Sequence, residues 1–300
     1  MKLLITGAIQ YSEKYIRDIQ SMGHSVVWMQ NEKDPLPISY DEVEGVVCNG
    51  LFLYHQIEKF INLKYIQLTS AGLDRVPLEY INQKGITIRN ARGVYSIPMA
   101  EFALSSVLSV YKQANHFSKS QQEHCWNKHR GLRELYGKNV CIIGCGSVGD
   151  ECAKRFYAMG CKVIGVDIYE KECEFYNKII TLSSLHSELK NADILILTLP
   201  LTEQTKHLID FKELALLPDG CVLVNIARGS IINTEALIET LQKRDITAVL
   251  DVFEEEPLQS DSKLWTMPNV TITPHNSFVG EGNIIRLWDV VVEKLKKSFN

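Results

Sequence analysis

Val140-Cys141-Ile142-Ile143-Gly144-Cys145-Gly146-Ser147-Val148-Gly149 is an apolar run that leads without interruption into the pattern G-x-G-x-x-G. Asp150 to Met159 then reads as a helix. Strand, glycine turn and helix in that order are what a dinucleotide-binding βαβ unit needs. Gly144 allows the tight turn, Gly146 lets a pyrophosphate approach the backbone, and Gly149 lets the helix pack closely on the strand. The amides near Ser147 and Val148 are expected to point at the phosphates, at the positive end of the helix. A second strand, Lys162–Val166, ends at Asp167, where a carboxylate would meet the hydroxyls of the adenosine ribose. An acidic group there repels a 2′-phosphate, and Ile168-Tyr169-Glu170 supplies no arginine to welcome one. NAD is therefore favoured over NADP.

Around this unit, short β-branched runs alternate with helical stretches. After it come Ile194–Leu199, Cys221–Asn225, Ala248–Leu250 and Val270–Thr273. With Asn139–Ile143 and Lys162–Asp167 these make six strands, the number in a complete doubly wound nucleotide-binding sheet. Before it come Lys2–Thr6, Ser25–Met29, Gly45–Cys48, Tyr65–Leu68 and Ile86–Ile88, with a helix over Ser12–Met22, a pattern of parallel strands joined by crossovers. Met99 to Phe117 reads as one long apolar helix, and Glu281 to Phe299 as an amphipathic one that could fold back onto the first domain.

Length and composition agree with two α/β domains: 300 residues, 45% of them hydrophobic. A net charge of -4, from 32 basic and 36 acidic residues, leaves no cationic stripe for nucleic acid. No apolar stretch is long enough to span a membrane, and no signal-peptide core builds up after Met1. The eight cysteines form no Cys-x-x-Cys pair, so no metal site is expected and they read as reduced thiols of a cytoplasmic protein.

Three polar groups stand directly after strands, on the sheet edge where open α/β folds bind ligands. Arg228 follows Val222–Asn225 and adjoins Gly229; its planar fork suits a carboxylate and could polarise a neighbouring carbonyl. His275, in Thr273-Pro274-His275, supplies a proton donor or acceptor near neutral pH. A carboxylate partner for the imidazole would come from Glu254-Glu255-Glu256, ahead of Pro257. Three consecutive glutamates most simply form a solvated acidic loop, and spacing does not choose among them.

On these residues, together with Gly137-Lys138, Leu199-Pro200-Leu201-Thr202 with Thr205, Asn225-Ile226-Ala227-Arg228-Gly229, Asp251-Val252-Phe253 and Pro268-Asn269-Val270, the chain resembles the D-isomer-specific 2-hydroxyacid dehydrogenases over nearly its full length. The resemblance implies two doubly wound parallel-sheet domains with the active-site cleft between them. Residues 1–97 and 276–300 would form a flavodoxin-like substrate domain and 98–275 an inserted Rossmann NAD-binding domain. It selects Glu256, the glutamate directly before the proline, to act with Arg228 and His275. It adds Pro200, Thr205, Ala227 and Asp251 to the cofactor contacts, and assigns the backbone of Ser70, Ala71 and Gly72 to the substrate carboxylate.

The implied activity is NAD-dependent interconversion of a small D-2-hydroxy acid and its 2-oxo acid by a homodimer. The alternative within the same fold is an NAD(H)-sensing, corepressor-type interaction module. Two departures are visible: Asn276–Asn283 replaces the usual small, Gly-rich continuation, and Ser147 stands where relatives often have arginine. Glu256, where formate dehydrogenases carry an amide, argues against formate, and 300 residues leave no room for the regulatory domain of long phosphoglycerate dehydrogenases.

Overall fold

Lys2–Thr6 (β1), Ser25–Met29 (β2), Gly45–Cys48 (β3), Tyr65–Leu68 (β4) and Thr87–Arg89 (β5) are short runs; in β1 to β4 the side chains supply apolar layers on both sheet faces, and β5 adds Ile88 to one of them. Leu3 and Ile5 face one core, Leu4 the other, as the two-residue period of a strand requires. The strands pair in parallel in the order β2-β1-β3-β4-β5, with helices α1 (Glu13–Ser21) and α2 (Leu78–Gln83) among the connections. This 2-1-3-4-5 order is the flavodoxin-like one, whose direction reverses between β1 and β3.

The computed structural model describes residues 1–299 and divides into two units: Met1–Tyr95 with the segment from Gly280 onward, and Ser96–Val279. The second unit contains α3 (Ser96–Tyr111), α4 (Ala114–Gln122), β6 (Asn139–Ile143), α5 (Ser147–Ala158), β7 (Lys162–Asp167), β8 (Lys178–Thr181), α6 (Leu185–Leu189), β9 (Ile194–Leu197), α7 (Phe211–Leu216), β10 (Val222–Asn225), α8 (Thr234–Lys243), β11 (Thr247–Leu250) and β12 (Val270–Ile272). Its parallel sheet runs β12-β11-β10-β9-β6-β7-β8, reversing between β6 and β9. Apolar layers cover both faces, one built on Ile143, Leu197 and Leu223, the other on Ile142, Ile196 and Val224 with α3 and α5.

The last helix, α9 (Asn283–Phe299), returns to the first unit. Trp288 is fully buried there and donates from Nε1 to the Gln10 carbonyl at 2.9 Å, and Arg286 Nε donates to Val94 O at 2.8 Å.

Three expectations change. The long helix over Met99–Phe117 is two helices, because Gln113 takes a left-handed conformation (φ 53°) that a right-handed helix cannot continue through. The second sheet has seven strands, not six; β8 is a short edge strand with an exposed Lys178. The unit boundary falls after Val279, not after His275. The wholly buried Asp251 accepts from the backbone N–H groups of Asn276 (2.7 Å) and Ser277 (3.0 Å), tying that segment to β11.

Candidate active site

The sheet of the second unit reverses at the glycine turn. Gly144 has φ +97°, and a Cβ there would stand 2.6 Å from the Leu199 amide nitrogen; a Cβ on Gly149 would stand 2.0 Å from the Gly144 carbonyl oxygen. Both positions demand glycine for lack of room, and Gly144 also for its conformation. Gly146 precedes α5 in extended backbone with no side-chain cap, leaving the first-turn amides, Ser147 and Val148 among them, at the positive helix end.

Asp167 ends β7 with Oδ2 accepting from Cys145 N at 2.6 Å and Oδ1 from Ile168 N at 2.7 Å. Those bonds aim the carboxylate across the turn, and each oxygen keeps a lone pair for a ribose hydroxyl. Lys171 donates to the Cys145 carbonyl at 2.6 Å and pairs with Asp150 at 3.0 Å, pinning the segment after β7 against the turn. The nearly buried Thr205 ties the loop after β9 by donating from Oγ1 to Pro200 O at 2.7 Å and accepting from Thr202 N at 2.7 Å. A tight backbone cradle with a carboxylate beside it fits a dinucleotide with an unphosphorylated ribose.

At the end of β10, buried Asn225 holds the next turn: Nδ2 donates to Arg228 O at 3.1 Å and Oδ1 accepts from Ala227 N at 3.1 Å. The half-buried Arg228 donates from Nη1 to Ala227 O at 2.8 Å. Beside it, a Cβ on Gly229 would stand 1.8 Å from the Phe253 carbonyl carbon and 2.3 Å from Glu254 N. The Arg228 turn thus lies directly on the loop that carries the three glutamates.

A Gly229→Ala variant is expected to force these backbones apart. It should lose about 3 kcal/mol, the upper end of overpacking penalties, with a fall in turnover, as read by thermal unfolding and initial rates. Unchanged melting and turnover would refute the close packing.

Each glutamate has its own partners. Glu254 accepts from Thr234 N at 2.8 Å, at the start of α8, and from His207 Nε2 at 3.1 Å. Burial pushes its carboxyl up, but the Thr234 bonds and His207 together bring it below the ordinary glutamate value. It clasps the start of α8 and His207 while remaining exposed to solvent, as the sequence suggests. Glu255 accepts from the exposed Gln259 at 2.8 Å. Glu256 accepts from Phe253 N through Oε1 at 3.0 Å, and its Oε2 lies 2.8 Å from His275 Nδ1.

As a carboxylate Glu256 can only accept, so Nδ1 of His275 carries a proton toward it and Nε2 faces away from the pair. The imidazole is 42% exposed and meets the Phe278 ring edge-on, with centroids 5.9 Å apart. His275 itself adopts a left-handed backbone, φ 51°, a conformation that costs a non-glycine residue about 1–2 kcal/mol. Two bonds from its N–H hold it there, to Asp251 O at 2.8 Å and to Thr273 O at 3.0 Å. Asp251 also accepts from Thr273 Oγ1 at 2.6 Å. The family resemblance implies a cofactor contact for Asp251; in the structure its carboxylate organises the strand end that presents His275.

In the first unit, the loop after β4 has its carbonyls engaged internally: Ser70 O with Ala91 N at 2.9 Å, Ala71 O with Asn90 Nδ2 at 2.7 Å, and Gly72 O with Ser70 Oγ at 3.1 Å. Among the described residues the Ala71 and Gly72 amides have no acceptor.

Residues 104–277 match the family model described as "D-isomer specific 2-hydroxyacid dehydrogenase, NAD binding domain". The chain belongs to this family. It is an NAD-dependent oxidoreductase acting on CH–OH groups. Among curated members of the family it is 36% identical to a hydroxypyruvate reductase of Thermotoga maritima, over 89% of this chain and 88% of that protein. It is likewise 36% identical to a D-3-phosphoglycerate dehydrogenase of Methanocaldococcus jannaschii; the match covers 99% of this chain and only 57% of that protein. Among solved structures, a D-isomer specific 2-hydroxyacid dehydrogenase family protein from Aeromonas salmonicida superposes with a TM-score of 0.86 at 28% identity, covering 99% of this chain and 94% of that one.

No helix of the described residues is long and apolar enough to cross a membrane. All eight cysteines of this family member are free thiols, six of them buried.

Proposed function

We propose that the chain interconverts a small 2-oxo acid and its D-2-hydroxy acid, with His275 as the acid–base and Arg228 and the Ser70, Ala71 and Gly72 backbone as the groups that hold the substrate carboxylate. The observation that carries this reading is the 2.8 Å contact between Glu256 and His275 Nδ1, beside the Arg228 turn. A carboxylate on Nδ1 favours the protonated ring and fixes its orientation, so that Nε2 can give a proton to a carbonyl oxygen. Arg228 would grip the carboxylate in two parallel hydrogen bonds and polarise the adjoining carbonyl.

NADH bound along the glycine turn supplies the hydride that the carbonyl carbon receives. The residues that would hold it are Gly144, Gly146, Ser147, Val148, Gly149, Asp167, Pro200, Thr205, Ala227 and Asp251. In the opposite direction His275 takes the hydroxyl proton.

The reading extends to a cytoplasmic homodimer. Eight unpaired cysteines suit a reducing compartment. For a second copy of the chain, the support is the exposed aromatic and aliphatic set Phe117, Trp126, Leu132 and Tyr136, with Trp126 93% exposed.

The direct test follows NADH and, separately, NADPH absorbance with glyoxylate, hydroxypyruvate, pyruvate and larger branched or aromatic 2-oxo acids. NADH-linked reduction of at least one, with a weaker response to NADPH, is expected. Tight NADH binding with no turnover on any of them would overturn the proposal.

A further inference from the structure

Glu32, three residues past β2, is a part-buried acid for which the reaction described above has no use. The first sheet reverses direction between β1 and β3, and that reversal is the crevice where open α/β sheets receive ligands. Here the crevice is filled by the chain itself. Glu32 Oε1 accepts from Thr6 Oγ1, at the end of β1, and from Asn49 N, just past β3, both at 2.7 Å. Its Oε2 accepts from Gly50 N at 2.7 Å. Two successive backbone amides converging on one carboxylate are an anion nest, occupied by an internal anion.

The backbone of Glu32 is anchored as well. His55, 7% exposed, lies with Nε2 3.0 Å from the Glu32 carbonyl and Nδ1 3.0 Å from the Tyr40 hydroxyl. A carbonyl only accepts, so Nε2 donates to it and Nδ1 accepts from Tyr40. The acid is held at both ends.

What it holds adjoins the loop after β4. Thr69 N donates to Cys48 O at 2.9 Å, joining the end of β3 to the residue that precedes Ser70, and Tyr95 donates its hydroxyl to Thr69 O. A route of hydrogen-bonded backbone therefore runs from Glu32 through Asn49 and Cys48 to the Ala71 and Gly72 amides. We propose that Glu32 is a positioning residue: its carboxylate closes the switch-point crevice and thereby sets the direction of those amides for the substrate carboxylate. This rests on the assignment of Ser70, Ala71 and Gly72 made above.

The variants are Glu32→Ala, Glu32→Gln and Thr6→Val, each beside the wild type. With the best 2-oxo acid, Glu32→Ala should raise KM about tenfold, which is about 1.4 kcal/mol of binding. Its kcat should stay within about twofold and NADH affinity should be unchanged, a split that a general loss of structure would not produce. Glu32→Gln, which keeps an acceptor for Asn49 or Thr6 but offers Gly50 a donor, should fall between. Formate should refill the nest of Glu32→Ala, restoring Tm and lowering KM, with no gain for the wild type.

A wild-type KM in folded Glu32→Ala, or no response of that variant to formate, would overturn the proposal. Should Glu32→Ala fail to fold, Glu32→Gln and Thr6→Val decide by the same KM-against-kcat split. If the wild type reduces no 2-oxo acid, the function reading fails separately. The Glu32 proposal is then judged by the amide resonances of Ala71 and Gly72, which should move in Glu32→Ala and return with formate; unmoved resonances would refute it.

Discussion

A His275→Ala variant is expected to lose about three orders of magnitude in turnover while binding NADH as the wild type does, within the 10²–10⁴ range of one general acid–base group. The expectation follows from position. His275 stands past β12 in a left-handed backbone held by two hydrogen bonds, with Nδ1 committed to Glu256 and Nε2 turned away from that pair. Alanine removes the proton carrier and disturbs neither the glycine turn nor Asp167, which are separate contacts. Glu256→Gln, which keeps a polar group near Nδ1 but removes the charge, should cost less than removal of the ring. Steady-state rates across pH, with NADH fluorescence titration as the control, check both; near-normal turnover of His275→Ala at neutral pH would end the assignment.

Asp251→Ala should be the most destabilising single change at this end of the sheet. Asp251 is fully buried, and its two oxygens satisfy Thr273 Oγ1 and the amides of Asn276 and Ser277. Each donor stranded in a buried setting costs about 1–3 kcal/mol, so a loss of about 4 kcal/mol is reasonable. For a unit of this size that is a fall in Tm of about 8–16 °C. Turnover should fall too, because the same segment carries His275. Asp251→Asn should be milder, since its amide oxygen still accepts but its NH₂ group meets donors. Thermal unfolding measures the first effect and initial rates on the folded variants the second; a Tm within about 2 °C of wild type for Asp251→Ala would contradict the hub role.

Much of this site is legible in the sequence, for reasons that are local. A β-branched run entering a glycine turn and then a helix is one short stretch of chain, so the strand β6, the turn and Asp167 at the end of β7 follow from spacing. Arg228 and His275 announce themselves as polar residues directly after apolar strands. Lys178–Thr181 escapes the same reading because it is four residues long, begins with an exposed lysine and gains its pairing only as an edge of β7. The break at Gln113 escapes it because no proline or glycine marks the turn between α3 and α4.

The sequence by itself determined the two parallel sheets, the dinucleotide turn and the strand-end positions of Arg228 and His275. It left three adjacent glutamates equivalent except by family likeness, and it said nothing of Glu32. Only the tertiary structure decided their tasks: Glu254 to Thr234 and His207, Glu256 to His275, Asp251 to the segment after β12, and Glu32 to the ends of β1 and β3. The physical reason is that a carboxylate acts on whatever donor lies within about 3 Å of it. In a parallel α/β fold those donors sit on neighbouring strand ends, helix starts and loops that are close in space and far apart along the chain.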